Sequence, residues 1–169
     1  GVAVSEYSPE ALRSIIGIVP QSAALVSGSI RDNLKWRDEN ATDEEIMRAV
    51  KIAQATDVVE VKGGLDAMIE EGGRNLSGGQ RQRLLIARAI AAKPDILILD
   101  DSSSALDYKT DANLRKAIAS NMQESTKIII AQRISTTKFA DKILIIQDGR
   151  ITEEGTHDEL VAKKGYYYS

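Results

Sequence analysis

The chain has 169 residues, with 22 Lys and Arg against 25 Asp and Glu for a net charge of −3, and 43% of it is hydrophobic. That length suits one globular domain and that apolar fraction excludes a disordered or low-complexity chain. No run approaches the roughly 20 apolar residues of a membrane span, the weak acidity supplies no general field for nucleic acid, and no Cys with a single His, His157, excludes disulfide frameworks and Cys/His metal clusters.

In chain order, Gly1-Val2-Ala3-Val4 has neither the basic region nor the apolar core of a targeting peptide. Ser8-Pro9-Glu10 offers an N-cap with Pro at the first helical position. The region 30–73 reads as a mainly helical subdomain with no convincing strand. Within it, Thr42-Asp43-Glu44-Glu45 is a capping box leading into an apolar stripe of Ile46, Ala49, Val50 and Ala53. Ser77, with Gln80 three residues on, is placed to cap a helix that runs to Lys93-Pro94. Three short apolar runs, Ile96–Leu99, Lys127–Ala131 and Lys142–Ile146, read as parallel strands covered on both faces. Asp148-Gly149 predicts a tight hairpin turn, and Thr156-His157-Asp158-Glu159 a last capped helix that Gly165 stops. The fold class is therefore α/β, a mainly parallel sheet flanked by helices with an inserted helical subdomain.

Chemistry concentrates at Asn75-Leu76-Ser77-Gly78-Gly79-Gln80. Two glycines in the first helical turn remove side chains from above the exposed backbone N–H groups. Those donors, the helix dipole and the Ser77 hydroxyl make a site for an anion such as a phosphate; an ordinary capped helix with a glycine-softened start has the same pattern.

LSGGQRQR, followed by Ile96–Leu99 and Asp100-Asp101, closely resembles the signature motif and Walker B segment of ATP-binding cassette (ABC) ATPases. Ser104-Ala105-Leu106-Asp107 looks like the family's D-loop and Val19-Pro20-Gln21 like its Q-loop. The segment Asp148–His157 is similar to the end of the nucleotide-binding domain of ABC exporters. The order of these motifs matches the family along essentially the whole chain. The resemblance implies a P-loop NTPase-like fold, with ATP and Mg²⁺ as ligands of the full assembly. It places Asp100 and Gln21 near the metal, Asp107 at the seam between two nucleotide-binding domains, and Ser77, Gly78, Gly79 and Gln80 against the γ-phosphate of ATP held by a partner. Glu71 matches the coupling segment before the signature. The implied partners are a second nucleotide-binding domain and transmembrane domains at the cytoplasmic face of a membrane, with no nucleic acid.

Two positions depart from the family pattern. Where the family has the Glu that polarises the attacking water, this chain has Asp101, shorter by about 1.5 Å, and a carboxylate that falls short of the water is a poor base. The switch His is replaced by Gln132, which can hydrogen-bond a phosphate but cannot carry the imidazole's charge. Both catalytic positions, Asp101 and Gln132, are altered while LSGGQ is intact, as in the degenerate-site subunit of heterodimeric exporters. No G-x-x-x-x-G-K-[ST] phosphate loop occurs. Residues 1–169 are accordingly expected to be a partial nucleotide-binding domain: 30–93 the helical and signature subdomain, 94–169 the Walker B, D-loop, switch and tail. Alone it is expected to be inactive, and an unpaired sheet edge is expected to promote self-association. The alternative is a stand-alone ABC-like regulatory or interaction module without catalysis.

Overall fold

The computed structural model describes residues 2–102 and 104–168, which fall into two units, 1–130 and 131–169. The first unit is organised by three parallel strands in the order β1-β4-β5. β1 (Ile16–Val19) pairs with β4 (Ile96–Asp100), and β4 with β5 (Thr126–Ile130), so that Ile18, Ile98 and Ile128 stand in one row and Leu97 aligns with Gly17 and Lys127. Strand side chains alternate between faces. Val19, Leu97 and Leu99 are buried on one face, whereas Ile18, Ile128 and Ile130 on the other are 55%, 46% and 51% exposed. The expectation of strands covered on both faces therefore holds for one face only. A continuous apolar run marks a strand, but its periodicity cannot say how many layers cover it.

One α-helix precedes β1, and the other α-helices of this unit up to β4 lie between the two strands, most of them opened by side-chain caps. α1 (Pro9–Ile15) starts on Ser8, whose hydroxyl accepts from the Ala11 N–H. α2 (Ile30–Leu34) and α3 (Asp43–Ile52) open on reciprocal boxes, Ser29 with Asp32 and Thr42 with Glu45. α4 (Thr56–Lys62) ends on Gly63 at φ 97°, a left-handed cap that glycine takes at little cost. β2 (Gly28–Ser29) and β3 (Met68–Ile69) form a two-residue antiparallel ladder, so the expectation of no strand within 30–73 is corrected by β3. A two-residue strand has too little sequence to show alternation.

α5 (Gly78–Ala91) is the centre of packing. Leu84, Leu85, Ile86, Ala87, Ala89, Ile90 and Ala91 are all buried, and they join Ile46 and Val50 of α3, Leu114 and Ile118 of α6 (Tyr108–Asn121) and Leu97 of β4 in one core. From Leu84 on, an apolar stripe this wide faces a core, with Arg88 at its margin. Gly17 makes the close approach of α5 to the sheet possible: a Cβ there would lie 2.9 Å from Pro94 Cγ and 3.0 Å from the Ala89 carbonyl oxygen.

The second unit contains α7 (Ile134–Thr137), an antiparallel hairpin of β6 (Ile143–Gln147) and β7 (Arg150–Gly155), and α8 (His157–Lys163). Asp148 and Gly149 turn the hairpin at φ 49° and 74°, the doubly positive geometry of a two-residue turn. The expected parallel pairing of 142–146 is corrected: among the described residues β6 pairs only with β7. The hairpin itself is the reason, because a two-residue turn joins antiparallel strands. α8 opens on Thr156 boxed with Glu159 and stops at Lys164, not Gly165; Lys164 adopts the left-handed cap at φ 53°. Leu160, Ile143 and Tyr167 form this unit's small core, and His157 Nδ1 lies 2.8 Å from the Tyr167 hydroxyl. No helix among the described residues is long and apolar enough to cross a membrane.

Two outcomes follow from this packing. Gly17→Ala should destabilise the chain by about 1–3 kcal/mol through overpacking, read as a lower denaturation midpoint in urea; an unchanged midpoint would show that α5 can recede at no cost. The Glu45 carboxylate, bonded to Lys93 at the end of α5 and to the Thr42 N–H, is lowered from 4.5 to about 2. Its folded pKa is depressed, so its contribution is complete above pH 4.5 and is lost as pH falls toward 2. Lys93→Ala should move the Glu45 titration upward in an NMR-monitored pH series.

Candidate functional site

The first turn of α5 is built by a reciprocal cap. Ser77 Oγ accepts the Gln80 N–H at 3.2 Å while Gln80 Oε1 accepts the Ser77 N–H at 3.0 Å. The opening N–H groups of a helix have no partner inside it, so with Gln80 satisfied, those of Gly78 and Gly79 face outward from the turn. The two glycines serve different ends. Around Gly78 nothing lies within 4 Å of where a Cβ would stand, so the turn is open there; at Gly79 a Cβ would sit 3.2 Å from the Ala105 carbonyl oxygen. Gly78 thus leaves room for a ligand and Gly79 lets the 104–107 loop lie against the turn. No acidic residue occupies this first turn, in contrast to α3 with Asp43, Glu44 and Glu45. An anion meets backbone donors and the positive helix end without a competing carboxylate on the turn itself.

The approach to Ser77 is held from behind. Leu76 is buried, Asn75 Oδ1 accepts the Glu70 N–H at 3.1 Å, and Asn75 Nδ2 donates to the Met68 carbonyl at 2.9 Å. The Asn75 carbonyl in turn accepts from Lys62 Nζ. Sequence reasoning missed this role of Asn75, because its partners are backbone groups of β3 and of Glu70 just after it, which no motif specifies. Behind the turn, Arg83 grips Asp57 with two bonds, 2.6 and 3.2 Å, a forked geometry that fixes the helix against α4. Glu71 is exposed and within 3.8 Å of Arg74.

Asp107, on the same loop that touches Gly79, caps α6. Its Oδ1 accepts the Thr110 N–H at 2.9 Å and its Oδ2 the Thr110 hydroxyl at 2.6 Å, and these bonds hold the carboxyl below the usual range.

A second group of residues gathers at the C-terminal end of the sheet. Val19 pairs with Leu99, so Gln21 lies in the turn two residues past the end of β1, and Asp100, one residue past Leu99, ends β4. Adjacent strands are about 4.8 Å apart, and ligands of parallel sheets bind beyond the carboxyl ends of strands. Asp101 follows in the left-handed region at φ 46°, with its N–H donating to the Ile130 carbonyl at 2.9 Å and its own carbonyl accepting from the Ser104 hydroxyl at 2.9 Å. Asp is one of the few side-chain-bearing residues that enter this region readily. The oxygen-only donor set of Asp100 and Gln21 suits Mg²⁺, which takes one or two protein oxygens and completes its shell with water and phosphate. Gln132 is exposed in the second unit, between β5 and α7.

A family model described as ABC transporter matches residues 1–104, more than half of the chain. The chain belongs to the ABC transporter family. It is 46% identical over 165 residues to the uncharacterized ABC transporter ATP-binding protein YknU of Bacillus subtilis, matching 97% of this chain and 28% of that protein. It is 42% identical to the ATP-dependent lipid A-core flippase of Desulfotalea psychrophila and 44% identical to the beta-(1→2)glucan export ATP-binding/permease protein NdvA of Agrobacterium vitis, each match covering 99% of this chain and 29% of the relative. Among solved structures, a bacterial Atm1-family ABC exporter with ATP bound superposes with a TM-score of 0.92 at 33% identity, over 98% of this chain and 29% of that one. This ABC sequence, an ATP-binding domain with exporter-type relatives, spans less than a third of the length of the curated relatives it matches.

Proposed function

We propose that this chain is the ATP-binding portion of an exporter-type ABC transporter, coupling ATP binding and hydrolysis to translocation of a substrate. The observation that carries this reading is the first turn of α5: capped by Ser77 and Gln80, opened by Gly78 and closed on the 104–107 loop through Gly79. Such a turn receives an anion but holds no phosphate loop of its own. Ser77, Gly78, Gly79 and Gln80 therefore complete an ATP site whose phosphate cradle belongs to a second nucleotide-binding domain, and Asp107 lies at the seam between the two. The other partners are the transmembrane domains of the same transporter, which place this chain at the cytoplasmic face of a membrane. Exposed Ile18, Ile128 and Ile130 give the chain by itself a surface for self-association.

The chain's own site is the group at the strand ends. Phosphoryl transfer is mainly a matter of positioning and charge neutralisation. Asp100 and Gln21 would hold Mg²⁺, which supplies positive charge opposite the phosphate oxygens. Asp101 stands at the general-base position and Gln132 at the switch position, and both are impaired: Asp101 by reach, with its backbone pinned between Ile130 and Ser104, Gln132 by its lack of a titrating nitrogen. This site binds ATP and turns over slowly, so the second nucleotide-binding domain is a different polypeptide; two copies of this chain would carry two impaired sites.

The combined substitution Asp101→Glu and Gln132→His tests this directly in the assembled transporter. General-base catalysis is worth about 10²–10⁴-fold at a site, so the second site should begin to turn over and the steady-state rate of phosphate release should rise. An unchanged rate in a properly assembled pair would contradict the slow-site reading.

A further inference from the structure

The turn that carries Gln21 is exposed, yet the segment just after it is fastened at three consecutive residues. Ala24 presents its carbonyl to Arg88 Nη2 at 3.2 Å. Leu25, 1% exposed, has its carbonyl bonded to the Gly72 N–H at 3.0 Å. Val26 is held on both backbone groups by one side chain: Asn33 Oδ1 accepts the Val26 N–H and Asn33 Nδ2 donates to the Val26 carbonyl, each at 2.9 Å. Asn33 is itself 1% exposed and spends a further bond on the Ser29 carbonyl at 3.0 Å. A fully satisfied buried amide is a rigid anchor, since breaking any of its bonds strands a buried polar group.

These fastenings lead to two different elements. Asn33 belongs to α2. Arg88 belongs to α5, and so does Arg81, whose Nη1 donates to the Gly72 carbonyl at 3.3 Å while Gly72 holds Leu25 from its other side. The loop is thus tied to α5 once directly and once through Gly72, at positions seven residues, or about 10 Å, apart along the helix. Among the described residues Arg88 has no carboxylate partner, and burial pushes its guanidinium below its ordinary value. A half-buried cation that spends itself on a backbone carbonyl at the loop is more than surface decoration. Of the three fastened residues, Ala24 is the nearest to Gln21.

We propose that Arg88 is a positioning residue for Gln21: its bond to the Ala24 carbonyl makes the turn at Gln21 move with α5, and so with Ser77–Gln80 at the start of the same helix. The inference rests on the reading of Gln21 as a group that faces Mg²⁺, and it adds a mechanical link between that group and the turn offered to the partner's ATP. Asn33 and Gly72 fix the far side of the segment, so Arg88 sets the freedom of the near side.

Because the chain has no Cys, Ser22→Cys gives a single attachment point for a nitroxide beside Gln21. Arg88→Met should convert the label's spectrum from hindered to mobile, and Arg88→Lys, which keeps one donor, should restore the hindered component. In the assembled transporter, Gln21→Ala and Arg88→Met should each raise severalfold the Mg²⁺ concentration for half-maximal retention of ATP at this chain's own slow site, with the double variant no worse than either alone. A label unaffected by Arg88→Met overturns the link. A mobilised label with an unchanged Mg²⁺ requirement in Arg88→Met also overturns the positioning role if Gln21→Ala shifts that requirement. If Gln21→Ala leaves it unchanged too, the reading of Gln21 has failed and takes the proposal with it, while the mobilised label shows the contact itself to be real.

Discussion

Helix α5 must satisfy opposite demands at its two ends, and the rest of the first unit follows from how it does so. From Leu84 onward it is buried among α3, α6 and the sheet, which requires Gly17 to let the backbone of Ala89 come close. At Ser77–Gln80 it must stay open, which requires a cap made from its own residues, because a cap from a neighbour would cover the turn. The reciprocal bonds between Ser77 and Gln80 meet that requirement with no outside group. The buried end supplies the leverage that holds the open end still. Arg83 on Asp57, Lys93 on Glu45 and Asn75 on β3 then fix the helix from three directions.

Much of this was legible in the sequence because capping is local chemistry. Ser77 with Gln80, Thr42 with Glu45 and Thr156 with Glu159 were each read from a four-residue spacing, and each forms the reciprocal box expected of it. Asp148-Gly149 was equally legible, since few residues accept two successive positive φ values. What could not be read depends on partners distant in sequence. β1 carries no signal of its own, because four residues after a helix show no distinctive period, and its identity comes from pairing with β4, some 80 residues on. The run 142–146 looked like another parallel strand because apolar runs look alike, and only the hairpin partner decides the direction. Lys164 rather than Gly165 takes the left-handed cap, a choice made by the surrounding contacts, where Glu153 receives the Tyr166 N–H.

The candidate site shows the same division. LSGGQ, Asp100, Asp107 and Gln21 were all marked by motif, but the reason for two glycines rather than one emerges only in three dimensions: Gly78 keeps space empty and Gly79 admits the Ala105 carbonyl. The resemblance alone puts Asp107 at a seam between domains and says nothing of its capping role. Asp107 caps α6 through Thr110 while the loop it ends reaches the signature turn, so capping is what holds that loop in place. Asn33 and Arg88 belong to no motif read from the sequence. Their importance lies in whose backbone they hold.

On the account proposed here, the signature turn works on a nucleotide that another polypeptide holds, and the reactivity of Ser77 tests that claim most directly. In a chain without native Cys, Ser77→Cys places one thiol at the open turn, and its rate of modification by a maleimide can be followed with and without MgATP. The account predicts that MgATP slows modification only when the second nucleotide-binding domain is present. Equal protection of the chain alone, or no protection in the assembled pair, would contradict it.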